Sequence, residues 1–231
     1  MGIMNKNEVT TEVKLITECL PKSIASDRYR MLFSKVDLNC RLEGKKIIAV
    51  TSSIKGEGKT TTVSNLAVVA ARDFGKRCLL LDGDFNNPAL SLVFGKTKNP
   101  GLIDVLENRV RLGEIIRKSP IQNLAILPMG RPSPSTSKNH IWASEKIKKI
   151  LSEVRGWFDY VWVDAPPILP MFDMTVISEA VDGILLVVQS GKTPTSVLSL
   201  AVKSLDSKKV IGSVLNRAKV SWPSTYYNYR Y

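Results

Sequence analysis

The chain has 231 residues, 33 lysines and arginines against 21 aspartates and glutamates, and a net charge of +12. That length and its 44% hydrophobic content suit one buried core and argue against wholesale disorder, while the longest apolar runs, such as Ile184 to Val188, fall far short of the ~20 residues that cross a bilayer. Three scattered cysteines and a single histidine argue against a disulfide framework or a His-based metal centre, and the positive balance asks for an anionic partner: nucleotide, nucleic acid, an acidic membrane face or an acidic protein segment.

In chain order, the start lacks a basic region followed by an apolar one, so the cytosol is the expected location. Residues 1–22 form an N-terminal segment whose order the pattern does not fix. Ser23 to Arg41 carries Tyr29, Leu32, Phe33, Val36 and Leu38 at helical spacings and predicts a helix docked on the sheet or on a neighbouring subunit. Strand-length apolar runs follow at Lys46 to Thr51, Cys78 to Asp82, Leu124 to Pro128, Tyr160 to Asp164, Gly183 to Gln189 and Val210 to Leu215. Helical patterns lie between them at Thr60 to Phe74, Glu145 to Trp157, Phe172 to Val181 and Thr193 to Leu205, with shorter ones at Leu102 to Glu107 and Leu112 to Arg117. The Pro- and Ser-rich stretch from Pro128 to His140 reads as a surface loop, and residues 219–231 as a flexible tail. Near-continuously apolar strands alternating with helices imply an α/β fold, a doubly wound and mostly parallel sheet covered on both faces. One domain over 23–218 is expected.

The first strand runs into Ser53-Ile54-Lys55-Gly56-Glu57-Gly58-Lys59-Thr60 and then a helix. This resembles the phosphate loop of the P-loop NTPases, Gly-x-x-x-x-Gly-Lys-Thr, with Ser53 in place of the first glycine. Residues Lys55, Gly56, Glu57, Gly58, Lys59, Thr60 and Thr61 form the candidate nucleotide cradle. Backbone N–H groups and the helix N-terminus face phosphate, Lys59 reaches the β and γ phosphates, and Thr60 is placed to hold Mg²⁺. Two further acidic motifs end strands: Leu81-Asp82-Gly83-Asp84 and Val163-Asp164-Ala165-Pro166. Ligands of open parallel sheets sit beyond the carboxyl ends of the strands, so Asp82, Asp84 and Asp164 should converge on the loop. Three carboxylates there suit Mg²⁺ binding together with activation of an attacking hydroxyl or water. Asn216 leaves the last strand as a turn former or more.

Four of the six tyrosines, Tyr226, Tyr227, Tyr229 and Tyr231, fall in the last six residues. Flanking Pro, Ser, Thr and Asn argue against core packing, and accessible phenols there suit phosphorylation. With Gly-Glu-Gly-Lys-Thr at 56–60, Leu-Asp-Gly-Asp at 81–84 followed by Pro88, Asp-Ala-Pro-Pro at 164–167 followed by Asp173, and this tyrosine cluster, the chain resembles the bacterial tyrosine kinases of capsular and exopolysaccharide synthesis from about Asp27 to its end. It resembles the type whose kinase domain and membrane-spanning activator are separate chains.

The resemblance implies ATP and Mg²⁺ as cofactors, transfer of the γ-phosphoryl group to tail tyrosines of a neighbouring subunit, and self-association. It also implies a membrane polysaccharide co-polymerase or adaptor as partner, recruitment to the inner face of the membrane, and adenine near Asn216. One aspartate would be the base, with Asp82 favoured, while Thr60, Asp84 and Asp164 would surround the metal. Three departures stand out: Asn86 where the family carries Arg, Lys55 before Gly56, and Asp27-x-x-Arg30-x-x-Phe33 in place of Glu-x-x-Arg-x-x-Arg. The last implies loss of an inter-subunit ion pair. Two alternatives remain at this level: a partitioning or positioning ATPase that binds DNA or membrane, and a nucleotide-binding scaffold with weakened kinase chemistry.

Overall fold

The computed structural model describes residues 15–94, 100–130, 142–170 and 173–219; the tyrosine cluster and most of the Pro/Ser-rich stretch lie outside these. Seven strands form one sheet among the described residues: β1 (Ile47–Ser52), β2 (Cys78–Asp82), β3 (Arg117–Lys118), β4 (Leu124–Leu127), β5 (Tyr160–Asp164), β6 (Gly183–Gln189) and β7 (Val210–Asn216), in the order β3-β4-β2-β5-β1-β6-β7. Every neighbouring pair is parallel except β3 with β4. The helices are α1 (Ile16–Cys19), α2 (Ile24–Leu42), α3 (Lys59–Arg72), α4 (Leu90–Val93), α5 (Leu102–Leu106), α6 (Leu112–Ile115), α7 (Glu145–Trp157), α8 (Asp173–Ala180) and α9 (Thr195–Lys203).

Strand alternation divides the core in two. Ile47, Ala49, Leu79, Leu81, Val161 and Val163 face one apolar cluster with α5 to α9, whereas Ile48, Val50, Cys78, Leu80, Tyr160 and Trp162 face the other with α2 and α3. Both faces are covered, which is why the strands carry so few polar residues. Ser23 caps α2 by accepting the Ser26 N–H at 3.2 Å, and Ser144 caps α7 by accepting that of Ile147 at 3.3 Å. None of the described helices is long and apolar enough to cross a membrane.

Several boundaries differ from expectation. The helix expected through Arg117 stops at Ile115, because Ile116 takes extended backbone and Arg117 and Lys118 pair with Ile126 and Ala125 as an antiparallel edge. Pro194 caps α9 from outside, so that helix begins at Thr195 and not at Thr193. The expected start of α8 at Phe172 lies outside the described residues. Leu15 is buried, and the Thr17 N–H and hydroxyl both donate to Asn65 Oδ1, so the chain from residue 15 onward is packed on α3.

A larger correction concerns α2. Its apolar face is Phe33, Val36 and Cys40, while Leu38 is 53% exposed. Phe33 is fully buried, with ring centroids 4.7 Å from Phe74, 5.7 Å from Tyr160 and 6.4 Å from Trp162. Position 33 therefore belongs to the core of this chain. Arg30 is engaged within the chain, donating to Asp73, Asp27 and the Pro21 carbonyl. Truncation of Phe33 to alanine is expected to cost about 3–5 kcal/mol, the usual range for a buried aromatic ring, measured by urea unfolding; a loss below 1 kcal/mol would contradict this packing.

Candidate active site

The site sits where β1, β2 and β5 end. Asp82 and Asp164 are register partners on adjacent strands, and Thr60 and Lys59 open the helix that follows β1. Between them the loop turns on Gly56 at φ +90° and Gly58 at φ +92°. Gly58 is doubly constrained, since a Cβ there would come within 2.2 Å of Asn216 Nδ2. Ser53 replaces the motif's first glycine without strain: it is not among the non-glycine residues with left-handed backbone. The N-cap of α3 is Gly58, which has no side chain to close the helix end, an arrangement that suits an anion at its first N–H groups.

Lys59, Thr60, Asp84 and Asp164 meet at this point. Lys59 Nζ lies 3.0 Å from Asp84 Oδ2 and 3.6 Å from Asp164 Oδ1, and the Thr60 hydroxyl donates to Asp164 Oδ2 at 2.6 Å. Burial works against the Lys59 charge, but the Asp164 and Asp84 carboxylates beside it prevail and lift its ammonium above the ordinary lysine value. Burial pushes Asp164 up to about 6, with Lys59 and Thr60 pulling the other way. Asp82 is pushed up to about 8, first by burial and then by the Asp164 charge, against the N–H of Leu90, which donates to Asp82 Oδ2 at 3.1 Å.

Asp82 Oδ1 and Asp164 Oδ1 are buried and without hydrogen-bond partners among the described residues. Buried acceptors of that kind fit a cation. No cluster of three His, Cys, Asp or Glu side chains able to hold a metal occurs among the described residues. The Thr60 hydroxyl beside these carboxylates fits Mg²⁺, which takes one or two carboxylates and draws its other ligands from water and phosphate.

Not every expected cradle residue faces the cradle. Glu57 is 1% exposed and turns its carboxylate into the protein, accepting the Ile54 N–H at 2.8 Å, the Gln189 N–H at 3.2 Å and the Thr193 hydroxyl. Its side chain ties the loop to β6 and to the turn before α9, and only its backbone is left for a ligand. An acid flanked by two glycines was the available signal, since a carboxylate does not face phosphate. Lys55 is exposed and reaches Asn87 Oδ1 at 3.2 Å; Thr61 is exposed on the first turn of α3. Asn216 Nδ2 donates to the Glu57 carbonyl at 2.8 Å, clasping the loop from β7. Asn86, found where an arginine was expected, donates to Asp173 at 3.1 Å across the mouth of the site.

Similarity to known proteins agrees with this geometry. The family described as "AAA domain" matches residues 45–210. The tyrosine-protein kinase YwqD of Bacillus subtilis (strain 168) is 32% identical over 208 residues, covering 89% of this chain and 86% of YwqD. The crystal structure of the chimerical protein CapA2B2 superposes with a TM-score of 0.81 at 26% identity, over 89% of this chain and 90% of that one. The septum site-determining protein MinD complexed with Mg-ADP, from Pyrococcus horikoshii OT3, superposes less closely, with a TM-score of 0.58 at 26% identity over 78% and 75%.

Proposed function

This chain is an AAA-domain protein of the bacterial tyrosine-protein kinase family, and we propose that it transfers the γ-phosphoryl group of ATP to the tyrosines of its own C-terminal cluster, Tyr226, Tyr227, Tyr229 and Tyr231. The observation that carries this reading is the convergence of Lys59, Thr60 and three aspartates on one glycine-built helix N-terminus. Mg²⁺, held by Thr60, Asp84 and Asp164, would supply positive charge to the phosphate oxygens. Residues 23–218 act as the catalytic domain and 219–231 as the acceptor tail.

In the transfer, the phenol oxygen of a tail tyrosine forms a bond to the γ-phosphorus as the bond to the β,γ-bridging oxygen breaks and ADP leaves. Asp82 takes the phenol proton. In the nucleotide-free fold its conjugate acid lies at about 8, nearer to a phenol than an ordinary carboxylate stands. Lys59 and the N–H groups of the loop meet charge growing on the transferred group. The adenine lies beside Asn216, where a groove of about 530 Å³ between α2 and β7 is lined by Tyr29, Leu32, Thr62 and Arg217; that volume falls in the range of nucleotide-sized sites.

The acceptor tail belongs to a neighbouring copy, so transfer depends on self-association. The partner is a membrane polysaccharide co-polymerase supplied as a separate chain at the inner face of the membrane, and the process served is capsular or exopolysaccharide synthesis. The test is incubation of the protein with Mg-ATP, followed by mass spectrometry of the tryptic peptide from Val220 to Arg230. Phosphate on Tyr226, Tyr227 or Tyr229, lost when these become phenylalanine, is the expected result. A clean tail, with ATP bound and an adaptor present, would leave a nucleotide-dependent scaffold as the better reading.

A further inference from the structure

Asp84 is the acid that faces Lys59, yet it stands on a short turn with no helix or strand to hold it. Each of its chain neighbours is gripped by one residue far along the sequence. The Trp142 indole N–H donates to the Gly83 carbonyl at 3.3 Å, and its ring lies so close to the Gly83 Cα that a Cβ there would meet Trp142 Cζ2 at 3.0 Å. On the other side of Asp84, the Phe85 ring meets the same indole edge to face, with centroids 6.3 Å apart and planes at 81°. The Gly83 N–H donates to the Asp164 carbonyl at 2.9 Å, so Gly83 is held through both of its peptide groups. Trp142 is 4% exposed and stands just before the Ser144 cap of α7.

We propose that Trp142 is a positioning residue for phosphate transfer: by holding Gly83 and Phe85 it fixes the Asp84 carboxylate against Lys59 and the metal. This rests on the kinase reading above, because it assigns Asp84 to the metal shell. Between these two held neighbours, the Asp84 carboxylate accepts from Lys59 at 3.0 Å and from the Asn87 N–H at 3.0 Å, and the Asp84 carbonyl shares that N–H at 3.2 Å. Releasing the clamp would let the Gly83 carbonyl rotate and carry the carboxylate away by the ~1 Å that costs about 100-fold in a preorganised site.

The experiment uses the full chain and its Trp142→Phe variant, which keeps an aromatic ring and removes the N–H donor. ADP affinity is measured in EDTA and across a Mg²⁺ titration, and tail phosphorylation is followed under saturating Mg-ATP. The expected result is unchanged ADP affinity in EDTA, a Mg²⁺-dependent gain in affinity about tenfold smaller than in the parent, and a kcat about 10- to 100-fold lower with KM held. Thermal unfolding within a few degrees of the parent accompanies it. An unchanged Mg²⁺-dependent gain would overturn the proposal, whatever happens to melting temperature. Should Trp142→Phe fail to fold, Phe85→Leu removes the other half of the clamp and carries the same comparison. If the parent puts no phosphate on its tail, the kinase reading falls, while the coupling of Mg²⁺ to ADP still decides the role of Trp142.

Discussion

Lys59→Met will lower tail phosphorylation by at least about 10³-fold. Removing one preorganised donor that meets developing charge costs about 10²–10³, and Lys59 also fixes the two acids of the site. Its ammonium lies 3.0 Å from Asp84 and 3.6 Å from Asp164, both buried. Breaking a buried ion pair by deleting one member costs about 3–5 kcal/mol, because the charge left behind stays out of water. The variant should therefore be less stable as well as inactive, and the two losses separate by pH. Asp164 titrates at about 6 in the folded protein, so below that value it is neutral and no longer needs the ammonium. The stability gap between parent and variant should be wide at pH 8 and narrower at pH 5, by thermal unfolding. Phosphate transfer stays absent wherever the variant is folded. Transfer within tenfold of the parent in folded Lys59→Met protein would remove Lys59 from the chemistry.

The parts of this site that were legible in the sequence are those in which chemistry and backbone share one local signal. Lys59 and Thr60 follow two glycines at the junction of an apolar strand and a helix. Asp82 and Asp164 end runs so apolar that an acid marks the strand's exit. What was not legible depends on side-chain direction or on partners remote in the chain. Glu57 sits inside the motif but points to Gln189 and Thr193, 132 and 136 residues away. Trp142 follows a Pro/Ser-rich stretch, and nothing local ties it to Gly83, 59 positions earlier. A two-residue strand such as β3 has no period to detect. Phe33 was legible by period alone, since its helical spacing with Tyr29 and Val36 gave the core face on which the ring is buried.

Asp82→Asn should abolish transfer while ADP still binds, and it should also stabilise the nucleotide-free protein in a pH-dependent way. Asparagine has the shape of aspartate and keeps an oxygen to accept the Leu90 N–H, so the turn into α4 survives. What it loses is the basic oxygen that takes the phenol proton; general-base catalysis is worth about 10²–10⁴, so at least a hundredfold loss in kcat is expected with ADP affinity within a few fold. The stability effect has the opposite sign. Asp82 ionises near 3.8 when unfolded and at about 8 when folded. Below pH 3.8 both states hold the proton and the carboxyl has no pH-dependent cost. As pH rises toward 8 the unfolded state gives up its proton while the folded state keeps it, so unfolding becomes steadily easier. At about 1.4 kcal/mol per pH unit the ceiling on this cost is ~6 kcal/mol. Asparagine does not titrate, so the variant's gain over the parent should grow from pH 4 to pH 8 and level off above. The same experiment with Mg-ADP should shrink the gain, because a bound dication favours the ionised carboxylate. A gain that is flat with pH would mean that Asp82 is already ionised in the nucleotide-free fold, and with it would go the argument that the fold tunes this carboxyl toward its phenol.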